Sequence, residues 1–84
     1  MYKTRREVID WLKSVGVIDY VINEDLSIDV ASGVDLYNKL PGYELLPVKF
    51  GIVSGFFNCG NNELTSLIGC PDRIGMGFFV TIIR

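Results

Sequence analysis

Two cysteines, Cys59 and Cys70, lie eleven positions apart and are the most reactive side chains of this 84-residue chain. A structural zinc site takes four ligands from Cys, His or carboxylate. The chain has no His and no Cys-x-x-Cys pair, so the spacing does not support a metal. A disulfide closing that loop would add about 3 kcal/mol. The N-terminal stretch "MYKTRREVIDWL" has neither the apolar run nor the cleavage site of an export signal. The thiols therefore read as reduced, in a cytosol, and as small hydrophobes of the core. The missing histidine also removes Ser–His and Cys–His nucleophiles. Asp29 and Asp35 flank one turn and have the chemistry to act as acid and base or to hold Mg²⁺. No apolar pocket is evident beside them, so they read as a solvated strand face. The glycine-containing stretches "SGVDLYN" and "GIVSGFF" lack a Walker lysine, and no phosphate cradle is indicated. The expectation is a protein with no catalytic residue, no metal and no cofactor.

Composition bounds what remains. Hydrophobic residues make up 49% of the chain and the net charge is −2. Such a chain can bury a core, and it is poorly suited to wholesale electrostatic binding of nucleic acid or anionic membrane. No apolar run approaches the roughly 20 residues that cross a bilayer. The charge is uneven. Residues 1–18 hold Lys3, Arg5, Arg6 and Lys13 against Glu7 and Asp10, a balance of +2. Residues 19–44 hold six carboxylates against Lys39, a balance of −5, and residues 45–84 come to +1. The basic residues of the N-terminal helix read as a solvated face rather than a nucleic-acid site.

The elements that must position these residues follow from spacing. Thr4 and Glu7 form a capping-box pattern, Val8, Ile9, Leu12 and Val15 recur at helical spacing with Trp11 flanking, and Gly16 stands at a C-cap. They predict a helix from about Arg5 to Val15. From Ile18 onward apolar and polar residues alternate, which predicts strands with turns at "NED" and "ASG". "GIVSGFFNC" and "GMGFFVTII" read as two more strands. The whole is expected to be one α+β domain over 1–84, with a helical leader (1–18) and a strand-rich, repeat-like region (19–84).

Ser54-Gly55-Phe56-Phe57 and Met76-Gly77-Phe78-Phe79 are 22 positions apart, and Ser32-Gly33-Val34 precedes the first by the same 22. Such a period marks a solenoid in which each rung is one strand plus a return segment. Phe57, Cys59, Asn62, Leu64 and Leu67 fit a leucine-rich-repeat frame. In that frame Phe57 and Cys59 point inward, "GNN" turns the chain off the sheet, Asn62 bonds backbone groups left unpaired by the turn, and Leu64 and Leu67 return to the core before Cys70 closes the rung.

"FNCGNNELTSLIGCP" (57–71) resembles the repeat of small leucine-rich-repeat-like proteins of large tailed phages of the T-even type. The resemblance covers that one rung and, loosely, the leader, and it implies a stacked β-rich architecture and a phage setting. The pattern then breaks: Thr81 takes the cysteine slot of the next unit and Arg84 falls where its asparagine is expected.

Two features point to protein binding. The acidic residues Glu24, Asp25, Asp29 and Asp35 are placed to meet a basic partner. In "GFFVTII", Phe78, Val80 and Ile82 alternate with Phe79, Thr81 and Ile83, so the last strand is apolar on both faces and needs a cover. The resulting expectation is a phage accessory protein that binds one host protein and blocks or redirects it, in host takeover or anti-defence. The alternative is a self-assembling accessory protein, a homodimer through Phe78–Ile83.

Overall fold

The computed structural model describes residues 1–81. A helix α1 (Arg5–Val15) is followed by seven short strands: β1 (Tyr20–Ile22), β2 (Ile28–Val30), β3 (Val34–Asp35), β4 (Phe50–Val53), β5 (Phe57–Cys59), β6 (Arg73–Ile74) and β7 (Phe78–Val80). The fold is α+β. Thr4 caps α1 through a capping box with Glu7, and Gly16 ends it in the left-handed region at φ +79°. Val8, Trp11 and Leu12 form the buried face of α1, while Ile9 and Val15 lie at its margins. Trp11 thus belongs to the centre of the stripe it was expected to flank. No helix among the described residues is long and apolar enough to cross a membrane.

The strands form two sheets, sheet A in the order β1-β2-β4-β6 and sheet B in the order β3-β5-β7. Only β1 is antiparallel; every other pairing is parallel. Each rung therefore contributes two strands, one per sheet, and this corrects the expectation of one strand per rung. "GIVSGFFNC" is β4 and β5 meeting at a corner. The chain is forced to bend there because backbones approach too closely for a side chain: a Cβ on Gly55 would lie 2.7 Å from the Gly33 nitrogen. Gly55 N–H donates to the Ser32 carbonyl across that corner.

The rung spacing is 23 and then 21 rather than a uniform 22. Val34 pairs with Phe57 and Asp35 with Asn58, 23 apart, whereas Phe57 pairs with Phe78 and Cys59 with Val80, 21 apart. A one-residue slip exchanges the inner and outer faces of a strand. Phe78, not Phe79, therefore stacks on Phe57, and Val80, not Thr81, fills the cysteine slot. Inside the stack the rings of Trp11, Phe50, Phe57 and Phe78 form a ladder, with centroids 6.4, 5.2 and 6.0 Å apart. Alpha helix α1 is tied to the first rung, where Arg5 Nη2 donates to the Ile22 carbonyl.

Candidate functional site

The outer face of sheet B is built from rows that run across the rungs. One row is Asp35, Asn58 and Phe79. In the next, Tyr37 packs flat on Gly60, with its Cδ2 3.2 Å from where a Cβ would be. Asn58 Oδ1 accepts from Gly60 N–H, and Asn61 N–H donates to Thr81 Oγ1, so the floor between the two rings is held by internal bonds. Asn38 and Asn61, 23 apart, both adopt the left-handed conformation and turn the chain off the sheet. Tyr37 is 52% exposed and Phe79 57%, and they bracket a shallow groove of about 610 Å³. Tyr37, Asn58 and Phe79 were not singled out as a surface by sequence reasoning, because a 22-residue frame puts Phe79 on the inner face. The 23-residue recurrences Val30/Val53 and Asn38/Asn61 carry a signal for the offset of the first two rungs, which sets Tyr37 beside Gly60, but not for the offset that places Phe79.

The edge of β7 is the second component. Phe57 N–H donates to the Gly77 carbonyl. By the alternation of a parallel ladder, Phe79 turns its backbone groups toward β5, while Phe78 and Val80 turn theirs away. Sheet B has no strand beyond β7 among the described residues. Phe78 is 43% exposed and Val80 is half-buried, in contrast to Phe57 and Cys59 directly above them, which are fully buried. Ile82 and Ile83, expected to extend this contact, lie outside the described residues.

The acidic residues do not form one surface. Glu24 and Asp25 occupy the β1–β2 turn, Asp29 is on sheet A and Asp35 on sheet B. Asp29 is tied into sheet A by hydrogen bonds. The β2–β4 register shifts between Ile28 and Val30, and Ile52 N–H donates to Asp29 Oδ1 at 2.8 Å, so the carboxylate replaces a ladder bond lost at the irregularity. Asn23 Nδ2 donates to its other oxygen. Gly51 makes room for this, since a Cβ there would collide with Asp29 Oδ1. Asp25 accepts from the N–H and hydroxyl of Ser27, which holds its carboxyl below the usual carboxylate range. Asp29 and Asp35, which flank one turn in the sequence, lie on different sheets. No cluster of three metal-ligating side chains occurs among the described residues.

Asn62 is buried and links the rungs. Its amide donates to the carbonyls of Leu36, Cys59 and Gly60, and its Oδ1 accepts from Leu40 N–H. Leu64 is fully buried, but Leu67 is 52% exposed, against the expectation that it returns to the core. Leu67 opens the turn closed by Cys70 N–H to its own carbonyl, and among the described residues no third-rung return leg lies over it. Both thiols are free, Cys59 buried and Cys70 only half-buried. Burial pushes the Cys59 thiol up to about 12. Cys70 is raised for the same reason, with the Lys49 ammonium opposing. Lys49 Nζ clips the first rung to the second through the Cys70 carbonyl (2.6 Å) and Asp72 (2.8 Å).

Compared with family models, curated proteins and solved structures, this chain matches none.

Proposed function

We propose that this chain is a non-enzymatic binding module of a tailed phage that holds one host protein on the outer face of sheet B and blocks or redirects it in the host cytoplasm. The observation that carries the reading is the pair of exposed rings, Tyr37 and Phe79, on one uncharged sheet floor. Tyrosine and phenylalanine are enriched where proteins meet, because each buries a large area at low cost in side-chain entropy. Asp35 at the rim adds a charge that orients a basic partner. The phage setting rests on the resemblance of residues 57–71 to the phage repeat, and host takeover and anti-defence both fit that setting.

Purified full-length protein carrying an affinity tag is expected to retain one host protein in stoichiometric amount from infected-cell extract. Tyr37→Ala combined with Phe79→Ala should lose that protein while the circular dichroism spectrum is unchanged. Undiminished retention by the double variant, or retention of salt-sensitive nucleic acid instead of protein, would overturn the reading.

A further inference from the structure

We propose that the open edge of β7 is completed by β7 of a second copy, running antiparallel about a two-fold axis through Phe79. Among the described residues, the backbone groups that sheet B leaves unpaired at this edge are the N–H and C=O of Phe78 and of Val80, placed symmetrically about Phe79. In an antiparallel pair with Phe79 opposite Phe79, Phe78 faces Val80 of the other copy and Val80 faces its Phe78. Each such pair exchanges both of its hydrogen bonds. These four groups on each chain are then satisfied by the same four groups of the other. The side chains agree with this arrangement. Phe78 (43% exposed) and half-buried Val80 lie on the inner face, and Phe78 of each copy meets Val80 of the other, which continues the apolar inner row from one copy into the next.

At the opposite end the two sheets are blunted differently. In sheet A, β1 runs antiparallel beside β2 and α1 is bonded to the Ile22 carbonyl. In sheet B, β3 is the other edge strand, and there Tyr37 N–H is already bonded to the Asp35 carboxylate, so a head-to-tail continuation through both sheets is disfavoured. A contact that uses the same patch on both copies closes at two. The consequence for the proposed binding face is that the two B sheets join into one, with the Tyr37 and Phe79 rings of both copies on a single surface.

The test uses full-length protein. Sedimentation equilibrium should give twice the monomer mass. Val80→Pro should sediment at the monomer mass with its circular dichroism retained, because the N–H it removes points away from β5 and takes part in no internal bond. Should Val80→Pro fail to fold, Phe79→Cys serves instead. The two introduced thiols would face each other at a non-hydrogen-bonded position, with Cα atoms about 4.5 Å apart, within the range a disulfide bridges. Phe79→Cys should therefore form an intermolecular disulfide under mild oxidation, whereas Tyr37→Cys and the parent chain should not. A parent protein that is monomeric at high concentration, a Val80→Pro variant that remains dimeric, or a dimer in which Phe79→Cys does not cross-link would each overturn the proposal.

Discussion

Phe57 and Phe78 occupy the same slot in consecutive rungs, yet Phe57 is fully buried and Phe78 is 43% exposed. Their strands have the same length, the same direction and the same inward orientation. What differs is coverage. Phe57 has Phe50 beside it and a rung on either side, and among the described residues Phe78 has a rung on one side only. A repeat buries its apolar row only against a neighbour, so an inward position in a stack is a core position only when a next layer is supplied. The middle rung is the best covered part of the stack, and the last described rung is the least covered.

Breaking that contrast in the middle should have the largest effect. Phe57→Ala leaves a cavity between two rungs and is expected to cost about 3–5 kcal/mol. Phe78→Ala, with much of its ring already in water, should cost about half as much in the monomer. Urea denaturation of the two variants measures the difference, and equal losses would show that the last rung is as well packed as the middle one. Asn62→Ala comes next. It strands the Leu36 and Cys59 carbonyls and Leu40 N–H in a buried turn, at about 1–3 kcal/mol for each group that water does not reach. The same assay reads it, and a loss below about 1 kcal/mol would mean the turn relaxes to let water in.

Gly51→Ala sharpens the comparison within sheet A. The added methyl displaces the Asp29 carboxylate from Ile52 N–H, with an expected loss of about 1–3 kcal/mol. Asp29→Lys should destabilise for the same reason, whereas Asp35→Lys should leave the denaturation midpoint nearly unchanged. If both aspartates tolerate Lys equally, Asp29 is not a structural group.

The buried thiol of the middle rung gives a pH test. The folded Cys59 thiol is raised to about 12, above the ordinary thiol value of about 8.5. The unfolded chain therefore loses its proton first. Cys59's contribution is fully present below the unfolded value and is lost as pH rises from there toward 12, by at most about 1.4 kcal/mol per pH unit. Denaturation at pH 8 and pH 10.5 should show this slope, and Cys59→Ala should flatten it. The smallest effect belongs to α1. Glu7 is held below the usual carboxylate range by the N–H of Lys3, with the Thr4 hydroxyl and N–H adding to it. Its stabilisation is present above the unfolded pKa and is lost as pH falls through the folded one. Glu7→Gln should lower the thermal midpoint slightly at pH 7, and the difference should shrink as the pH falls below the usual carboxylate range.

Features set within a few residues of one another were legible in the chain. The capping box of Thr4 and Glu7 and the turn at Asn62 are specified by side chains reaching their own nearby backbone, and the C-cap at Gly16 by the left-handed backbone that glycine adopts without strain. The existence of rungs was legible too, because inward and outward residues alternate locally. The register was not. Whether the second and third rungs are offset by 22 or by 21 depends on how loops 60–72 and 37–49 close across the stack, and one residue of loop decides which face Phe79 takes. The role of Asp29 was equally hidden, since an outward aspartate on a strand looks solvated until a neighbouring rung brings Ile52 N–H to it. Local hydrogen bonding and period are properties of a short segment and survive in the sequence. Stacking offset, coverage and the pairing of a side chain with a distant backbone group depend on closing the chain in three dimensions, and only the tertiary structure decided them.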